Sequence, residues 1–138
     1  MTQISVKGIN IVKNNLNKIG KNSQIGFYKG ITQAGLYLQR ESQKITPVDT
    51  GALVNSAFTN AVGNGFLTKV TVGYRGVYYA PFVHEHIEYR HKPGKQAKFL
   101  EQPAREKRPQ MLKIIADQIG YSLPIGISKV GLVYGSKK

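Results

Sequence analysis

Three histidines and two glutamates share one short run: His84, Glu85, His86, Glu88 and His91. Imidazole nitrogens and carboxylates are the groups that hold zinc or activate a water. On a strand, His84 and His86 would point the same way. The run lacks the helical zinc-protease spacing H-E-x-x-H. Only 7 acidic residues occur in the chain, and they are scattered. No Asp–His pair and no second carboxylate cluster accompanies the histidines. Histidines set among lysines and arginines are explained with less as solvated or interfacial groups. The expectation is therefore a protein that is not an enzyme, with no catalytic residue, cofactor or metal. Whether His84, His86 and His91 bind a metal is left open by the sequence.

The charge balance points elsewhere. Lys and Arg number 20 against 7 Asp and Glu, a formal net charge of +13. Eight of the cations fall between Arg90 and Lys113: Arg90, Lys92, Lys95, Lys98, Arg105, Lys107, Arg108 and Lys113. Such an excess attracts phosphate or an acidic protein surface, and charge alone does not choose between them. A solvated surface is the bland alternative. Tyr74, Tyr78, Tyr79 and Phe82 form an aromatic run beside the basic segment. It suits a core or an interface better than a base-stacking platform. Arg90, Lys92, Lys95, Lys98, Tyr78, Tyr79 and Phe82 are thus the candidate interaction residues.

The chain has no cysteine, which excludes disulfides, thiolate metal sites and thiol catalysis. Its first residues lack the apolar core of a signal peptide, and no stretch approaches the ~20 apolar residues of a membrane span. A soluble, unexported protein with no membrane partner is expected. With 138 residues, 41% of them hydrophobic, the chain fits one domain over 1–138.

The positioning elements follow from periodicity. Ile9, Val12, Leu16 and Ile19 mark a helix over 6–19, with Gly20 as a stop. Phe27, Ile31, Ala34 and Leu38 mark a second over 23–44, with Asn22 or Ser23 as its N-cap. Gly26, Gly30 and Gly35 each disfavour that helix by about 1 kcal/mol relative to Ala. They imply either a closely approaching surface, from the sheet or a neighbouring subunit, or plain tolerance. Pro47, Asp49, Thr50 and Gly51 form a dense structural turn, Asp49 accepting backbone N–H bonds and Gly51 taking a positive φ. Strands are expected over 52–62, over 67–72 and over 77–83, with a hairpin at Gly63-Asn64-Gly65. Residues 84–98 read as a long basic loop. Phe99 and Leu100 read as an apolar anchor. A last helix enters near Pro103, with Pro109 breaking it or starting its main part. Leu112, Ile115, Ala116 and Ile119 mark its face. Residues 125–134 allow one more edge strand. The fold class expected is α+β: N-terminal helices and a C-terminal helix on a small antiparallel sheet.

Three segments carry a resemblance. Ile45-Thr46-Pro47-Val48-Asp49-Thr50-Gly51-Ala52-Leu53, continuing to Asn55-Ser56, resembles the P-V-D-T-G-x-L-x-x-S signature of phage tail-completion and minor-capsid proteins. Tyr79-Ala80-Pro81-Phe82-Val83-His84-Glu85 is similar to that family's Y-A-x-[YF]-V-E/H-E segment. Ala97-Lys98-Phe99-Leu100-Glu101-Gln102-Pro103-Ala104 is similar to its A-x-F-L-x-x-P segment. They occur in the family's order over 45–104. Many members have E-F-G-T after the tyrosine segment, where this chain has His84-Glu85-His86-Ile87-Glu88 and a longer basic loop. The resemblance implies a structural virion protein at the head–tail interface of a long-tailed bacteriophage, made in the bacterial cytoplasm. It implies no catalytic residues. Implied partners are other copies of the chain in a ring, neighbouring connector, tail-terminator or tail-tube proteins, and packaged DNA as a further acidic surface. A small basic nucleic-acid-binding protein is the alternative.

Overall fold

A computed structural model of the chain describes residues 8–48, 51–77, 79–85 and 97–123, with Pro81 and Phe82 described by their backbone alone. The first element, α1 (Ile9–Ile45), is one helix of 37 residues, ~55 Å long at 1.5 Å per residue. The break expected at Gly20 does not occur. Ser23, read as a new N-cap, instead donates its hydroxyl to the Ile19 carbonyl at 2.7 Å. That is the backward bond a serine makes inside a helix. α1 stops at Thr46, whose backbone is extended, because the following Pro47 disfavours the helical region.

Gly51 enters the next element at φ 84°. Residues expected to begin a strand there form a short helix, α2 (Ala52–Asn55), which buries Leu53. β1 (Ala57–Val62) and β2 (Lys69–Tyr74) then pair antiparallel, Ala57 opposite Tyr74 and Val62 opposite Lys69. The expected hairpin connection is present, with Gly63 at φ 111° and a 3-10 turn over Gly65–Leu67.

The third strand, expected over 77–83, is replaced by a helix, α3 (Ala80–Glu85). Gly76 at φ 75° turns the chain after β2. The Ala80 N–H donates to Val77 O at 3.1 Å and the Val83 N–H to Tyr79 O at 3.0 Å. Pro81, near the helix start, suits a first turn and would have removed a donor from a strand ladder. The sheet among the described residues is therefore two-stranded. α4 (Glu101–Glu106) and α5 (Arg108–Ser122) complete the described chain. They part at Lys107 because Pro109 has no N–H for the Arg105 carbonyl. The edge strand expected over 125–134 lies outside the described residues.

The fold class is α+β as expected, with α1 as its spine. α5 runs antiparallel along one side of α1 and the hairpin along another. The three glycines mark the closest approaches. A Cβ added at Gly26 would stand 2.6 Å from Ile119 Cα, and one at Gly30 would stand 2.8 Å from Ile115 Cα. A Cβ at Gly35 would meet Val70 and would stand 2.9 Å from Thr59 Cγ2. All three contacts fall within the chain, so the surface that needs these glycines is α5 and the sheet. Ile115 and Ile119 face α1 as expected, whereas Leu112 and Ala116 are exposed.

Candidate functional site

The core gathers at the carboxyl end of α1. Leu53, Ala80 and Phe99 are buried together there, with Ile45, Tyr74, Val77, Tyr79, Val83 and Leu100 packed around them. Phe99 is 1% exposed. Its ring meets Tyr74 edge-on at 5.1 Å and His84 edge-on at 5.0 Å, the geometry that aromatic quadrupoles favour. Segments 45–56, 79–85 and 97–104 all contribute to this one cluster, although 22 or more residues separate the first from the others.

A polar knot underlies the cluster. The Tyr74 hydroxyl lies 2.7 Å from Ser42 Oγ and 2.6 Å from Thr46 Oγ1. Thr46 Oγ1 also hydrogen-bonds to the Ser42 carbonyl at 2.7 Å. Ser42 and Thr46 are both fully buried, and buried hydroxyls require partners of this kind. Sequence reasoning passed over this knot. Its signal was a Ser and a Thr four residues apart on the inner face of a helix.

A charged clamp closes the base of the basic segment. Lys98 N–H donates to the His84 carbonyl at 2.7 Å, and the Lys98 ammonium pairs with Glu85 and, at 3.3 Å, with Glu101. Lys98 takes φ 57°, a left-handed conformation that a residue with a side chain adopts only when held. His84 Nδ1 lies 2.8 Å from Glu85 Oε1, and its Nε2 accepts the Glu101 N–H at 3.4 Å. These partners fit the tautomer that carries its proton on Nδ1. The bond from Lys98, followed by that from His84, holds the Glu85 carboxyl below the usual range. Glu85 first, and then Glu101, raise the Lys98 ammonium.

The candidate residues are placed unequally. Lys98 is engaged in the clamp, and Tyr79 is half-buried against the core. Pro47 follows the extended Thr46 that closes α1. Arg90, Lys92, Lys95, Tyr78, Asp49, Thr50, His86 and His91 lie outside the described residues, as does the side chain of Phe82. Among the described residues no group of three His, Asp or Glu is placed to hold a metal. Nor is any helix long and apolar enough to cross a membrane.

The described acids offset the cations near them. Arg105 pairs with Glu101 at 2.9 Å, Lys113 with Asp117 at 2.9 Å and Lys107 with Glu41 at 3.8 Å. Lys44 bonds to Glu41 and is the first cause of that carboxyl's lowered pKa. By contrast, residues 1–40 hold Lys7, Lys13, Lys18, Lys21, Lys29 and Arg40 and no acid. Lys21 and Lys29 line a cleft between α1 and the hairpin tip, together with Gln24, Ile25, Tyr28 and Asn64. The sequence drew attention to 90–113, whereas the fold also leaves a basic face on α1. Comparison with family models, with curated proteins and with solved structures gives no match.

Proposed function

We propose that the protein is a non-enzymatic structural component of a long-tailed bacteriophage particle, placed at the head–tail interface as a tail-completion or minor-capsid subunit. The observation that carries this reading is the meeting of the three resembling segments on Phe99. Residues that match the family's pattern only in order along the sequence form one contiguous cluster in space. In this reading the cluster is a rigid base. It holds the ends of the basic segment, and that segment docks with connector, tail-terminator or tail-tube proteins, or with packaged DNA. Copies of the chain associate into a ring, since closed symmetry is the common outcome of repeated identical contacts. The reading assigns the chain no catalysis.

Immuno-electron microscopy of purified particles tests the proposal. Label at the neck is the expected result, and absence of the protein from purified particles overturns it. The second reading, a small nucleic-acid-binding protein, is favoured by the acid-free run of lysines on α1. It requires binding to duplex of any sequence that falls steeply with salt in a gel-shift titration.

A further inference from the structure

The amino-terminal half of α1 extends past everything described around it. α5 ends at Ser122, opposite Gly26. The hairpin tip reaches α1 near Gln24 and Phe27, where Phe27 meets Phe66 edge-on at 5.6 Å. Beyond those points Ile9, Val12 and Leu16 are 59%, 57% and 62% exposed.

These residues are not scattered on the surface. Eighteen residues make about five helical turns. Ile9, Val12, Leu16 and Ile19 therefore lie directly in line with Phe27, Gly30, Ala34 and Tyr37. That second set is the seam of α1 that the hairpin and α5 cover. The stripe, exposed at Ile9, Val12 and Leu16 and half-buried at Ile19, is the continuation of an occupied interface along the same face of the same helix.

The spacing of three, four and three is that of a coiled-coil seam, an arc narrower than the core face of a globular helix. Asn15 and Lys13 flank it, and Asn10, Asn14 and Asn17 occupy the rest of the surface around Ile11, which is 66% exposed. A helix lying in a membrane surface has a broad apolar face, which these asparagines deny it. Phosphate gains nothing from an apolar stripe. The occupant with matching shape is another helix.

Charge selects the kind of helix. Lys13 sits beside the stripe and Lys18 and Lys21 behind it, with no acid in residues 1–40. A second copy of this helix would bring like charges to the seam, which opposes pairing. The chain's own residues 124–138 carry Lys129, Lys137 and Lys138 and no acid either. We infer that residues 9–22 of α1 are a docking surface for an amphipathic helix of a partner protein, apolar along one seam and acidic on its flanks. The inference is independent of the virion reading. Absence from phage particles would overturn that reading and leave this one standing.

The full chain is titrated with a short heptad peptide carrying Leu at its seam positions and Glu at its flanks. A scrambled peptide of the same composition and a version with Lys at the flanks serve as controls. Anionic phospholipid vesicles are tested in parallel, and sedimentation velocity reports self-association. Saturable binding of the ordered Glu peptide alone is expected. Leu16→Asp should weaken it about tenfold or more, the effect of removing one buried leucine from a seam. Lys13→Glu should weaken it less and admit the Lys peptide. The same Leu16→Asp substitution should leave the melting temperature of the free chain unchanged, because an uncovered leucine contributes nothing there. Equal binding of the scrambled peptide overturns the inference, as does binding to vesicles through Leu16 without binding to the peptide. A fall in melting temperature on Leu16→Asp would show the stripe covered within the chain. Loss of an oligomer would show it covered by a second copy. Either result also overturns the inference.

Discussion

α1 contains two regions that share a seam and differ in everything that lies against it. Over 26–46 the helix meets α5, the hairpin and the Phe99 cluster, and three of its positions are glycines because backbone and side chains press on them. Over 9–20 the same face carries larger apolar residues, with Ile9, Val12 and Leu16 exposed and Ile19 half-buried. Gly20, in the bare region, has nothing within 4 Å of an added Cβ. The comparison teaches that burial on a long helix is decided by the length of what packs on it. Periodicity alone marks both regions as equally core-like. In the covered region tertiary packing holds the helix. In the bare region the helix persists by propagation from the anchored part, which adds one hydrogen bond for each residue fixed.

Substitutions in the two regions should behave oppositely. The largest effect is expected at the anchored end, where Phe99→Ala should lower stability by about 3–5 kcal/mol in denaturant titration. A loss under 1 kcal/mol would show that the cluster is not the core of the domain. Gly30→Ala comes next. Its Cβ would stand 2.8 Å from Ile115 Cα and 3.0 Å from Ile115 O, so α1 and α5 must move apart. The strain should outweigh the gain in helix propensity, leaving a net loss of about 1–2 kcal/mol. The same change in the bare region, Gly20→Ala, should raise stability by up to ~1 kcal/mol, since only propensity and chain entropy respond. If both glycine variants destabilise, residues 9–22 are packed after all and the contrast between the regions fails.

The smallest effect concerns the clamp. The carboxyl of Glu85 is depressed by Lys98 and then by His84. Its contribution is therefore present above the ordinary carboxylate pKa of the unfolded chain. It is lost as pH falls through the lower folded value. Carboxyl NMR should find its midpoint below 4.5, the ordinary value for the group, and Lys98→Met should return it upward. An unchanged midpoint would mean that the Lys98 pair does not persist in solution.

Much of this was legible in the sequence. Pro47 ended a helix and Gly63-Asn64-Gly65 made a hairpin, because a missing donor and an accessible positive φ act locally. Phe99 was recognisable as an anchor from its apolar neighbours in a polar stretch. The errors arose where a local signal had two meanings. Gly20 read as a stop but lies within the helix, since Ser23 bonds backward instead of capping forward. The aromatic run at 77–83 read as a strand because Tyr and Phe favour sheets, and Pro81 was the overlooked sign of a helix start. The Ser42–Tyr74–Thr46 knot and the pairing of Lys98 with Glu85 join residues distant in sequence, and no spacing rule reveals such partners. Lys98 was picked out for its charge, but that charge is occupied within the chain.

The clamp between His84 and Lys98 has one more consequence, for how the protein can change over generations. The bond from Lys98 N–H to the His84 carbonyl fixes both ends of the intervening segment on the Phe99 cluster. The core therefore registers where that segment leaves and returns. Doubling the length of a closed loop costs only about 0.6 kcal/mol. A change in the length of residues 86–96 is thus one that the closure can absorb while Ala97 and both ends stay held. New binding specificities can be tried there without the fold having to be reinvented.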